Sequence, residues 1–157
     1  MKSNGLRIAI VIGRFNEEIS MRLLEGARSR LEDLGVATTD INVFWVSGAF
    51  EIPFACQEII HKTSVDAVIT LGAVIQGGTP HFDFVAGECI RGIQKVSLST
   101  GTPIALGVLT TDTYEQALER SDTSYVDHDG STGDKGSSAA EAAVAMAELS
   151  QSLNTQN

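Results

Sequence analysis

Short apolar runs that alternate with helically patterned stretches constrain this chain more than any other feature, because few architectures bury both kinds of element together. Four runs read as strands: Arg7 to Ile12, Ile41 to Val46, Ala67 to Leu71 and Pro103 to Leu109. None alternates cleanly between apolar and polar residues, as expected of strands covered on both faces. In the first intervening stretch Ile19, Leu23, Ala27, Leu31 and Leu34 share one stripe, and Gly35 ends it. A second helix follows Pro53. A third runs from about Pro80, with Val85, Cys89, Ile93 and Val96 on one face, and stops before Gly101-Thr102-Pro103. A short fourth helix holds Ala117 and Leu118. An alanine-rich fifth, from Ser137 to about Leu149, buries a narrow face through Ala140, Val144 and Ala147. This order predicts a parallel sheet with helices on both sides and ligands at the carboxyl ends of its strands.

At 157 residues, with 43% hydrophobic and 20% charged residues, the chain has ordinary globular composition and is expected to form one soluble domain. No apolar run approaches the ~20 residues of a membrane span. Met1-Lys2-Ser3-Asn4-Gly5 leads into a strand rather than a signal peptide, so a cytoplasmic location is expected. A net charge of -9 disfavours nucleic acid and anionic membranes as partners. Cys56 and Cys89 lie outside any CxxC pair and read as buried reduced thiols. His61, His81 and His128 lack metal-ligand spacing, so no metal is expected. Ser121 to Asp134 is polar and acidic and reads as a solvated loop. Its Asp127-His128-Asp129-Gly130 departs from a calcium loop, because Ser131 and Gly136 fall where that spacing needs other residues.

The chemistry concentrates in the loops that follow the strands: Gly13-Arg14-Phe15-Asn16, Ser47-Gly48-Ala49-Phe50-Glu51, Gln76 to His81, and Thr110-Thr111-Asp112. In the third, paired glycines Gly77 and Gly78 allow close approach of a ligand, Thr79 is a candidate N-cap and Pro80 suits the first helical position. Free amides and the positive helix end then face one spot, suited to a phosphate, with the His81 imidazole beside it. Histidine can both give and take a proton near neutrality. An anionic substrate also needs a local cation, for which Arg14, Arg120 and Lys135 are the candidates.

Taken in order, Gly13 to Asn16, Ser47-Gly48-Ala49-Phe50-Glu51-Ile52-Pro53, Gly72 to His81, Gly107-Val108-Leu109-Thr110-Thr111, Glu119-Arg120 and Asp134-Lys135-Gly136 resemble the 6,7-dimethyl-8-ribityllumazine synthase family over nearly the full length. The resemblance implies a three-layer α/β/α sandwich with a four-stranded parallel, flavodoxin-like sheet. It also implies an enzyme of riboflavin biosynthesis that condenses 5-amino-6-(ribitylamino)uracil with 3,4-dihydroxy-2-butanone 4-phosphate, releasing phosphate and water without metal or organic cofactor. By matching motif, Phe15 would lie against the pyrimidine ring. Ala49, Phe50 and Glu51 would hold the ribityl chain and ring edge, although Glu51 could equally cap the helix that Pro53 opens. Ala73, Val74 and Ile75 would offer backbone to the uracil. Gly78, Thr79 and Arg120 would bind the butanone phosphate, with Lys135 a further candidate. His81 would be the catalytic proton-transfer residue.

Two departures stand out. Leu106 occupies a place where many relatives carry an aromatic residue against the ring, so weaker substrate binding is expected. The segment between Arg120 and Lys135 is longer than in compact relatives, through Tyr125 to Gly133. Family sites lie between neighbouring subunits of a homopentamer, and some members build icosahedral shells. For this chain the expectation is a free pentamer, or two paired as a decamer. The rival readings are an archaeal-type riboflavin synthase, a non-catalytic flavin- or lumazine-binding scaffold, and a nucleotide-binding flavodoxin-like module.

Overall fold

The computed structural model describes residues 5–124, 126, 128 and 134–156. These form a parallel four-stranded sheet of β1 (Ile8–Gly13), β2 (Ile41–Val46), β3 (Ala67–Ile75) and β4 (Ile104–Thr111), in the order β2-β1-β3-β4. The helices are α1 (Glu17–Asp33), α2 (Ile52–Lys62), α3 (His81–Thr100), α4 (Tyr114–Arg120) and α5 (Lys135–Asn154).

The two-residue period of the strands sorts their side chains onto two faces. Ile8, Ile10 and Ile12 of β1 join Ile69, Leu71 and Ala73 of β3 in one core with α1, α4 and α5. Ala9, Val11 and Val68 point the other way, into a second core with Ile52, Cys56 and Ile59 of α2 and Cys89, Ile93 and Val96 of α3. The expected three-layer α/β/α, flavodoxin-like sandwich follows from that division. Thr70, fully buried in β3, satisfies its hydroxyl by donating to the Ala105 carbonyl at 2.8 Å.

The expected stripe of α1 is buried through Ile19, Leu23, Ala27 and Leu31, and Gly35 follows it at a φ of 94°. Other boundaries moved. β1 starts at Ile8 rather than Arg7, and β4 at Ile104 rather than Pro103. β3 continues past Leu71 to Ile75, and β4 past Leu109 to Thr111, because Gly72 to Ile75 pair residue by residue with Val108 to Thr111. That pairing is non-local and overrides the low strand preference of Gly72. Thr110 and Thr111 are therefore strand residues, not loop. In α3, Ala86 takes the buried place expected of Val85, which is half-buried.

The last helix begins earlier than its alanine pattern suggests. Asp134 caps it, accepting from the Ser137 amide at 3.0 Å and the Ser137 hydroxyl at 2.8 Å. Asp134 is fully buried and Ser121 is 1% exposed, so the two ends of the expected solvated loop belong to the core. Both are polar groups with satisfied partners, which is why composition misread them. Asp127, Asp129, Gly130 and Ser131, on which the calcium-loop comparison turned, lie outside the described residues.

Glycines set the contact of α5 with α1. A β-carbon at Gly136 would overlap the Leu23 carbonyl, and one at Gly26 would overlap the Asp134 carboxylate. Backbone cannot yield as a flexible side chain can. Gly136→Ala is therefore expected to destabilise the protein by about 1–3 kcal/mol, the cost of overpacking a tight contact. A lowered urea midpoint would register it; an unchanged midpoint would contradict the close approach.

Candidate active site

Each of the first three strands ends in a loop that turns toward a common cleft of about 810 Å³. After β1, the ladder continues past the strand ends: the Arg14 amide donates to the Val46 carbonyl at 2.8 Å and the Phe15 amide to the Ser47 carbonyl at 3.0 Å. Asn16 then turns the chain. Its backbone is left-handed (φ 62°, ψ 51°), and among non-glycine residues asparagine is one of the few that adopts this conformation readily. Its amide Nδ2 donates to the Ala73 carbonyl at 3.0 Å, tying the turn to β3. Phe15, held between these bonds, stands 73% exposed at the mouth of the cleft.

After β2, Ala49–Glu51 form one tight helical turn that leads into α2. Glu51 occupies the cap position of α2, yet its carboxylate makes no cap bond. It accepts from the Ser47 hydroxyl at 2.8 Å instead. Glu51 thus makes no hydrogen-bonded cap, although its carboxylate stands at the start of α2. After β3, the Gln76 amide donates to the Thr111 carbonyl at 2.9 Å, and the chain crosses Gly77, Gly78, Thr79 and Pro80 into α3.

That turn departs from the sequence reading in two ways. The cap residue of α3 is Pro80, not Thr79, and no side chain caps the helix. The helix starts one residue later than expected, so the threonine hydroxyl falls too early in the chain to reach the first turn. The amides at the start of a 20-residue helix are consequently without a side-chain acceptor, the arrangement that favours an anionic ligand. Neither Gly77 nor Gly78 has a positive φ, and a β-carbon on either would meet nothing within 4 Å. These glycines leave open space rather than relieve strain.

The cleft is lined by Phe15, Ala49, Phe50, Glu51, Ala73, Val74, Ile75, Thr79 and His81, all of them candidates from the sequence; Gly78 sits in the same turn, between the lining residues Gly77 and Thr79. His81 is exposed and is the first residue of α3. Ser47 and Gly48 of the candidate loop after β2 also line the cleft, and the sequence reading missed four wall residues on α3, Phe82, Phe84, Val85 and Glu88. A helix entered at His81 projects a residue about every fourth position to one side, and the His81, Phe84, Val85, Glu88 spacing could have shown it.

Three candidates lie elsewhere in the protomer. Leu106 is third in β4, opposite Thr70 and 48% exposed at the open edge of the sheet. Arg120 ends α4, with Nη1 3.5 Å from the Gln116 carbonyl. Lys135 opens α5. Arg14 is likewise outside the lining of the cleft: it pairs with Glu17 at 2.8 Å and lies 4.7 Å from the centre of the Trp45 ring. Among the described residues, the cleft walls thus carry the carboxylates Glu51 and Glu88 and no lysine or arginine.

The sequence model of the 6,7-dimethyl-8-ribityllumazine synthase family matches residues 5–151. The chain belongs to this family. The match takes in all four strands and every residue lining the cleft. Membership in the lumazine synthase family implies an enzyme acting on small molecules. Cys56 and Cys89 offer this family member no nucleophile. Burial pushes the Cys56 thiol up to about 12 and the Cys89 thiol to about 11, leaving both protonated in the core at neutral pH. Among the described residues no cluster of three His, Cys, Asp or Glu side chains could hold a metal ion, and no helix is long and apolar enough to cross a membrane.

Proposed function

We propose that the chain, acting as one catalytic domain, condenses 5-amino-6-(ribitylamino)uracil with 3,4-dihydroxy-2-butanone 4-phosphate to give 6,7-dimethyl-8-ribityllumazine, phosphate and water. In this reading it is a cytoplasmic transferase that needs no cofactor. One observation carries the reading: an exposed aromatic ring, the end of β3, a helix start without a side-chain cap and a histidine line a single cleft. The flat uracil packs on Phe15, with Ala73, Val74 and Ile75 beneath it and Ala49, Phe50 and Glu51 along the ribityl chain. Leu106 adds apolar contact from a neighbouring copy. The butanone phosphate rests at Gly78, Thr79 and the start of α3.

His81 then stands where the two substrates meet. It moves protons as the uracil's amine adds to the ketone, water leaves to form the imine, and phosphate is eliminated before ring closure. Such acid-base assistance contributes about 10²–10⁴-fold, and holding two reactants in register supplies much of the remainder.

The charge balance of the cleft supports a site completed by a second copy. A phosphate beside Glu51 and Glu88 needs a cation, and Arg120, with Lys135 as a further candidate, would supply it across a subunit boundary. Oligomeric assembly fits the family and the apolar side chains left exposed, Phe50 and Phe84 in the cleft wall, Phe54 on α2 and Leu106 at the sheet edge. The assembly proposed is a homopentamer, free or paired as a decamer. Light scattering should report such a mass; a particle the size of an icosahedral shell would contradict it.

Phosphate release and lumazine formation in equal amounts from the two substrates would support the reaction. Supplying lumazine alone separates the nearest rival, since riboflavin formed from it would assign the archaeal-type riboflavin synthase reaction instead.

A further inference from the structure

We propose that Arg22 is a positioning residue that sets Arg120 for phosphate binding, an inference that rests on reading Arg120 as a phosphate ligand. The short helix that carries Arg120 is held by a small apolar contact and by polar ties. α4 spans seven residues, well below the length at which a helix is stable by itself; Ala117 is its fully buried residue, and Tyr114 and Leu118 pack part-buried against the same core. That apolar contact anchors the face of the helix but leaves the direction of its last turn to the polar ties.

At its start, Thr113 and Gln116 form a capping box. Beyond that, α1 reaches across with two side chains spaced by four, Glu18 and Arg22, which meet two positions of α4 also spaced by four, Tyr114 and Leu118. The Tyr114 hydroxyl donates to Glu18 Oε2 at 2.7 Å. Arg22 Nη2 donates to the Leu118 carbonyl at 2.7 Å, and Arg22 Nε to the Ser121 hydroxyl at 3.0 Å. Ser121 is 1% exposed and its hydroxyl lies 2.8 Å from the Ala117 carbonyl. One guanidinium thus grips the last turn of α4, where unpaired carbonyls and the negative end of the helix favour a cation.

Arg120 sits between the two residues that Arg22 holds. Its own bond to Gln116, at 3.5 Å, is too long to fix its direction. Asp122, with Oδ2 4.0 Å from Arg22 Nη2, adds little, being turned mainly to the Ser124 amide and hydroxyl, which hold its carboxyl below the usual range. A lysine at position 22 could not span both acceptors, because the planar fork of arginine is what reaches them together.

The test is steady-state kinetics on the assembled protein, varying each substrate in turn, for Arg22→Met, Arg22→Lys, Arg120→Met and the double Arg22→Met/Arg120→Met. Arg22→Met is expected to raise KM for the butanone phosphate roughly tenfold while KM for the aminouracil changes less than about twofold, and Arg22→Lys falls between. The double variant should be no worse than Arg120→Met alone, since the effect passes through Arg120. Additive losses, or an equal rise in both KM values, would overturn the inference. If Arg120→Met leaves KM for the phosphate unchanged, the reading of Arg120 fails first and separately. Should Arg22→Met not fold, Ser121→Ala carries the same test, with a rise of about threefold expected from losing one hydrogen-bond partner.

Discussion

His81→Ala is expected to lower kcat by about 10²–10⁴-fold, the usual worth of a positioned acid-base group, while leaving folding and assembly intact. The separation of the two effects follows from where the residue sits. His81 is exposed, opens α3 and points into the cleft walls rather than a core. The variant should unfold at the same denaturant concentration as the parent. It should also keep activity above the uncatalysed rate, because orientation of the two substrates survives the loss. Turnover equal to that of the parent would remove His81 from the chemistry.

Arg120→Met should raise KM for the butanone phosphate by about 10- to 100-fold, matching the roughly 1.5–3 kcal/mol of a hydrogen bond to a charged group. KM for the aminouracil should hardly move. The sharper outcome comes from mixing chains. Arg120 and His81 do not share a cleft within one protomer, where the described wall residues include two carboxylates and His81 but no lysine or arginine. Co-refolding His81→Ala chains with Arg120→Met chains should therefore regain activity well above the mean of the separate variants. Only interfaces that join an intact His81 to an intact Arg120 can produce that gain. No gain would place both residues of a working site in the same chain.

Much of this architecture is legible in the sequence, because it rests on local pattern. The stripe through Ile19, Leu23, Ala27 and Leu31 and the largely apolar runs of β1 and β3 announce a parallel sheet sandwiched by helices. The cleft loops were legible for a related reason: in such sheets they must follow the strands. What stayed hidden depends on partners far away in the chain. Gly72 to Ile75 and Thr110 to Thr111 are strand because they pair with each other. Asp134 and Ser121 look like loop residues until their burial is known. Arg22 and Leu118, bonded across 96 positions, show no shared signal at all. Leu106 was singled out through motif resemblance alone, and Arg120 and Lys135 through the need for a cation together with that resemblance; one protomer does not bring them to the cleft.

Asn16 illustrates the middle ground. The sequence marks it as part of a loop after β1, and asparagine is suited to a left-handed turn. Its bond to Ala73, which braces the Phe15 loop against the strand that would carry the uracil, appears only in three dimensions.

The most direct measurement is lumazine formation from the aminouracil and butanone phosphate, followed by product fluorescence against an enzyme-free control. The control is needed because the reactants condense slowly unaided. A rate clearly above it, from the assembled oligomer, is the result expected. No excess from a folded, correctly assembled oligomer would contradict the proposed synthase and leave the cleft as a binding site at most.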